Sequence, residues 1–150
     1  SYDELPEYLI FGGLVFIALN RNYIHLPGNV TPPLAFEHWY RELERPRTRK
    51  DQAVLISRVL PSSVNSGYSN LHNFIVNTLN GKSINTLYDL DKMLKDMPPD
   101  TRHVVFESEW QNMPIVLDYK KSLEQQQSVL KRYGILAGSN LSGMQYKGSQ

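Results

Sequence analysis

The sequence predicts an α+β fold: a sandwich or partly open barrel of short strands, with capping helices and one helical insertion. Three observations carry this. Short apolar runs rich in Val, Ile, Leu and Phe are each closed by Gly, Pro or Asn, as strands are. Helical patterns with start and stop signals stand among them, and that mixture points to layered packing rather than to a bundle. The composition is that of one globular domain, 150 residues with 41% hydrophobic and 21% charged. A chain of this length buries roughly 70% of its unfolded surface and needs no disulfide or metal to hold it.

Residues 8–19 are rich in Ile, Val, Phe and Leu but broken by Gly12-Gly13, which predicts two buried strands, or one strand entered through a tight glycine loop. The segment 20–51 is different. Pro27-Gly28-Asn29 marks a turn, and Thr31-Pro32-Pro33 supplies a cap and first turn for a short helix carrying Leu34, Phe36, Trp39, Tyr40 and Leu43 on one side. Arg45-Pro46 ends it, and the basic loop 45–50 follows. Residues 53–60 (AVLISRVL) and 73–79 each read as a strand, the second closed by Asn80-Gly81, a dipeptide favoured in type I′ turns. Thr86, with Asp89 three residues on, predicts a capped helix running to about Met97 with Leu87, Leu90 and Leu94 on its inner face. Residues 103–108 and 113–118 read as a hairpin. Residues 120–133 read as a last helix with Leu123, Leu130 and Tyr133 inward and Gly134 just past its end. From Ala137 onward Gly, Ser and Asn predict a loose end. The organisation expected is therefore a linker at 1–7, a domain at 8–141 with an insertion at 20–51, and a flexible tail at 142–150. Opening on Ser1 rather than Met, the chain reads as a piece of a longer protein.

Several classes of chemistry are disfavoured by what the chain contains. It has no cysteine, which excludes thiol catalysis, iron–sulfur clusters and thiolate zinc sites. Sixteen Lys/Arg against fifteen Asp/Glu leave a net charge of +1, with no overall pull toward nucleic acid or anionic lipid. The apolar stretch 9–19 falls short of the about 20 residues a membrane-spanning helix needs, and Asp3, Glu4 and Glu7 stand where a signal peptide carries basic residues. His25, His38, His72 and His103 show no metal-ligand spacing, no carboxylate pair can be named for acid–base work, and no cofactor is expected.

Taken in order, Gly13-Leu14-Val15-Phe16, the run 59–68 (VLPSSVNSGY), the run 74–84 (FIVNTLNGKSI), and Ile115-Val116-Leu117-Asp118 followed by a helix to Tyr133-Gly134-Ile135 resemble a PDZ domain. More narrowly, the set is similar to the C-terminal, second PDZ domain of Deg/HtrA (protease Do-like) serine proteases of the plant and chloroplast type. In two places the chain departs from the pattern: Val15 stands where a second glycine is usual, and the insertion 20–51 is far longer than an ordinary connection.

The resemblance implies a peptide groove. Gly12, Gly13, Leu14, Val15 and Phe16 would form its carboxylate loop and acceptor strand, with Leu87, Leu90 and Asp91 on the facing helix. Two uses stay open. Either the groove captures exposed C-termini of unfolded substrates, or it is filled by the protein itself. The domain would then serve assembly, docking on the first PDZ domain of a neighbouring subunit of the same protease. Phe36, Trp39, Tyr40 and Leu43 form an apolar stripe in an element outside the basic plan, and it reads either as core or as the candidate interface. Asn65-Ser66-Gly67 is similar to the serine context of Do-type proteases, but Val64 and Tyr68 stand where glycines should flank it, so no catalytic residue is assigned. The compartment is left open: chloroplast, mitochondrion, nucleus and bacterial envelope all fit the resemblance.

Overall fold

The computed structural model describes residues 6–20 and 52–142. The helix expected at 31–43, with Phe36, Trp39, Tyr40 and Leu43, and the basic loop 45–50 lie outside the described residues. Among the described residues, two four-stranded antiparallel sheets and two helices make the α+β architecture expected of a PDZ-like fold, with the sheets left unclosed.

The first sheet runs β1 (Tyr8–Phe11), β2 (Leu14–Asn20), β3 (Gln52–Val59), β4 (Phe74–Val76), each strand beside the next in chain order. Gly12 and Gly13 sit at φ of 58° and 77°, the left-handed pair that a two-residue hairpin demands, and Phe11 faces Leu14 directly across it. Between β2 and β3 the register slips at Val15/Phe16, so that Phe16 faces Ile56 while Val15 faces Arg58. That bulge lets Ile56 and Val59, an odd number of residues apart, both turn into the core.

The second sheet is ordered β6 (Lys82–Ser83), β5 (Thr78–Leu79), β7 (His103–Glu107), β8 (Ile115–Asp118). The single strand expected at 73–79 is therefore two strands in different sheets. Asn77 makes the break: its N–H donates to Glu107 O at 2.8 Å, and its buried side-chain oxygen accepts from Glu109 N–H at 2.6 Å. Phe16 of the first sheet meets Phe106 of the second at 5.1 Å between ring centres, and Phe74, Leu79 and Ile84 are fully buried around them.

Helix α1 (Leu87–Lys95) opens with the expected capping box, Thr86 accepting from Asp89 N–H and the Asp89 carboxylate accepting in return from Thr86 N–H. Leu87, Leu90 and Leu94 face inward as the spacing predicts. Helix α2 (Tyr119–Arg132) is capped by Asp118 and closed by Gly134 at φ 68°. Its inner face differs from expectation. Leu130 is buried, but Leu123 is 52% and Tyr133 38% exposed, and the buried stripe is Tyr119, Ser122, Val129 and Leu130. The looseness expected from Ala137 does not hold for residues 138–140: Ile10 N–H donates to Gly138 O at 2.7 Å, Leu9 bridges Ser139, and Asn140 N–H donates to Tyr8 O at 3.4 Å.

Candidate functional site

A strand-addition groove needs a sheet edge with free N–H and C=O groups, a facing helix that shapes side-chain pockets, and a donor-lined end for the ligand's carboxylate. In this chain the edge in question belongs to β2 and the helix is α1. Leu14, Phe16, Leu87 and Leu90 do come together there, and all four are wholly buried in the main core. Val15 belongs to the opposite face, packed with Ile10, Leu60, Val129 and Leu130. Asp91, on the inner side of α1, accepts from Lys95 Nζ at 2.9 Å one turn on.

Over Leu14, Val15, Phe16 and Ile17 both edges of β2 are taken. β3 pairs along one and β1 along the other, in register from Tyr8↔Ile17 to Phe11↔Leu14. α1 packs on β1 and β2 alike. β1 runs antiparallel to β2 and finishes at the glycine turn, with Leu9 and Phe11 buried in the same core cluster as Leu87, Leu90 and Leu94 of α1. Its direction is that of an added antiparallel strand, and two residues join it to β2.

The glycine turn is itself packed shut. Asn65, 1% exposed, donates through Nδ2 to Gly12 O and Leu60 O, both at 2.9 Å, and accepts from Ser62 N–H at 3.0 Å. Gly13 O in turn accepts from Leu60 N–H at 2.7 Å. A Cβ on Gly12 would lie 2.4 Å from Leu117 Cδ1, and one on Gly13 would lie 2.2 Å from Asn65 Nδ2. Asn65, weighed in the sequence only as the neighbour of a possible nucleophile, is the post on which this turn is built; Ser66 beside it is exposed.

The outer edge of β1 is covered as well. Tyr8 N–H donates to Asn140 Oδ1 at 2.7 Å, Asn140 Nδ2 donates to Pro6 O at 2.9 Å, and Gln126 Nε2 donates to Ile10 O at 2.8 Å. Tyr88, from the first turn of α1, donates its hydroxyl proton to the Glu7 carboxylate and accepts from Ser142 N–H, tying the entry of β1 to the end of this cover. Burial, with the Glu7 bond second, pushes the Tyr88 hydroxyl up to about 12. A raised acid holds its proton in the folded state after the unfolded chain has lost it. The Tyr88 contribution to stability is thus whole below pH 10 and falls as pH climbs toward 12. Alkaline melting curves of the parent and Tyr88→Phe chains should converge across that window; curves that stay parallel would show that Tyr88 does not titrate late.

Among the described residues no cluster of three or more His, Asp or Glu is placed to hold a metal ion, and no helix is long and apolar enough to cross a membrane.

A family model described as "PDZ domain" matches residues 1–140. The chain is 31% identical over 131 residues to a putative mitochondrial protease Do-like 3 of Arabidopsis thaliana, covering 87% of this chain and 22% of that protein. It is 35% identical over 130 residues to the chloroplastic protease Do-like 2 of the same plant, covering 87% and 21%, and 28% identical over 135 residues to the putative mitochondrial protease Do-like 12, covering 90% and 23%. The chain thus spans little more than a fifth of the relatives it matches.

Proposed function

The chain belongs to the PDZ domain family, in the form found in Do-like (Deg/HtrA) proteases, and we propose that it serves such a protease as a non-catalytic interaction module that assembles subunits rather than capturing free peptide ends. One observation carries the choice: β1 already pairs along the β2 edge under α1, and its Leu9 and Phe11 are buried in the core that a ligand's side chains would have to enter. An incoming strand would have to peel off four paired residues and re-expose two buried side chains. Each such side chain costs about 1.5–3 kcal/mol to return to water, a cost the ligand must offset before any net binding appears. The parent is proposed to be a serine endopeptidase with its catalytic machinery elsewhere in its length. An organelle is its proposed location, as the names of the relatives suggest. The partner proposed is another subunit of the same protease, through its first PDZ domain, with Phe36, Trp39, Tyr40 and Leu43 as the docking residues.

Two measurements test this together. Peptides ending in a free carboxylate should not bind the isolated domain, and neither should their amidated forms. In the full-length protease, Trp39→Ala should lower the oligomer size while the isolated domain melts as before, because a central aromatic anchor is worth about 2 kcal/mol or more. Micromolar binding that disappears on amidation would establish capture instead. A Trp39→Ala protease of normal size would remove Trp39 from the interface.

A further inference from the structure

The cover over β1 has the properties of a bound ligand that happens to be tethered. Residues 137–142 run antiparallel to β1 and contribute both N–H and C=O groups to it: Ile10 N–H to Gly138 O at 2.7 Å, and Asn140 N–H to Tyr8 O at 3.4 Å. Two side-chain positions give this contact a sequence preference. Asn140 reads backbone on both sides of Glu7, accepting from Tyr8 N–H through Oδ1 and donating to Pro6 O through Nδ2. Position 138 reads as glycine, since a Cβ there would come 2.7 Å from Gln126 Nε2 and force it off its bond to Ile10 O. Tyr8 Oη adds a donor to Ala137 O at 2.8 Å, and Leu141 packs on the core. The link to α2 is short: Gly134 stands at φ 68° and Leu136 is fully exposed, while Ile135 between them is half-buried against the cluster of Ile10, Leu60, Val129 and Leu130 and its N–H donates to Leu130 O at 2.9 Å.

We infer that the outer edge of β1, with Gln126 of α2, is a strand-acceptor site for the pattern Gly-x-Asn, and that residues 137–142 of a second copy of this chain can fill it as the chain's own do. The occupant is argued from what is seated there: the chain itself supplies the matching segment, and every copy carries both donor and acceptor. Exchange between copies conserves every bond to β1 just described; it repaths residues 134–136, and its cost is the Ile135 contacts there, as strand swapping through a hinge requires. The chain's own segment holds the site at rest because a short tether keeps it at an effective concentration in the millimolar range. Copies held close in an assembly raise the competing concentration toward that level. The use in assembly rests on the function proposed above; the acceptor site itself does not.

The test uses the full 150-residue chain and a fluorescent peptide with the sequence of residues 136–142, acetylated and amidated so that it offers no terminal carboxylate. The wild-type chain should not bind it. Asn140→Ala and Gly138→Val chains, with their own segment weakened, should bind it, and a peptide carrying the Asn140→Ala change should bind about tenfold more weakly, as loss of a paired backbone contact implies. Asn140 is exposed, so that variant keeps the test valid if Gly138→Val fails to fold. Wild-type chain refolded at high concentration should also yield a dimer that Gly138→Val does not form. No peptide binding by the folded Asn140→Ala chain, or equal binding of both peptides, overturns the acceptor site. Monomer alone after concentrated refolding overturns the exchange. Neither result touches the Trp39→Ala measurement, so failure here and failure of the assembly proposal are told apart.

Discussion

Replacing Gly13 by valine is expected to remove most of the domain's stability. Three costs coincide. At φ 77° a β-branched side chain is in the left-handed region, which costs an L-residue about 1–2 kcal/mol. The new Cβ would sit 2.6 Å from Leu60 O, a backbone atom that cannot swing aside. It would also sit 2.2 Å from Asn65 Nδ2, so Asn65 must leave. Gly12 O and Leu60 O then lose a buried donor, at about 1–3 kcal/mol for each group left unpaired. The sum is on the order of 5 kcal/mol, the lower end of what a domain has in total. At about 2–4 °C per kcal/mol for a chain of this size, melting should fall by some 10–20 °C. Gly81→Ala is the control. Its φ of 81° carries the same backbone strain, but nothing lies within 4 Å of the added Cβ, so it should lose only the first cost. Two variants that melt alike would mean that Asn65 and Leu60 do not hold the turn.

What the sequence made legible and what it hid divide along a physical line. α1 was readable end to end because its signals are local: a capping box at Thr86 and Asp89, and three leucines at helical spacing. The glycine hairpin was readable for the same reason, since two adjacent glycines between apolar runs have few other uses. α2 was misread because its buried stripe is partly polar. Ser122 lies under the Gly12 turn, and the half-buried Gln126 reaches Ile10 O between the buried positions Tyr119, Ser122, Val129 and Leu130. Hydrophobic spacing instead favoured Leu123, which is exposed. The break at Asn77 was hidden likewise: its partners are Glu107 and Glu109, some thirty residues on. The groove shows the limit most plainly. For the proposed groove the resemblance supplies candidate residues but no occupant, because the pairing of β1 with β2 follows from the turn whereas its place beside α1 follows from the whole core. Gly138 and Asn140, which cover β1, sit in a run of small polar residues that carries no periodic signal.

Phe11→Ala separates a filled groove from an empty one that happens to be closed. Phe11 is 6% exposed, stacks on Tyr119 at 6.0 Å between ring centres, and is the last residue of β1 before the turn. Truncating it should cost about 3–5 kcal/mol, the transfer loss of a buried ring plus the cavity it leaves. The core around it is drawn tight by Leu14, Leu117 and α1, and collapses only in part. The cavity would be apolar, the kind that stays dry and accepts a small aromatic molecule. Benzene should therefore raise the melting temperature of Phe11→Ala and leave the wild type unchanged. A peptide ending in free-carboxyl Phe should rescue neither, although it carries the missing ring. Its backbone has no edge to join, because residues 8–11 of the variant still pair with β2 and Tyr8 and Ile10 still hold Asn140 and Gly138. Rescue by benzene without rescue by peptide means that β1 owns the groove through its backbone, with the side chains only deepening its hold. Rescue by the peptide would mean that β1 is a displaceable ligand, and the domain would then be a peptide receptor held closed by its own first strand.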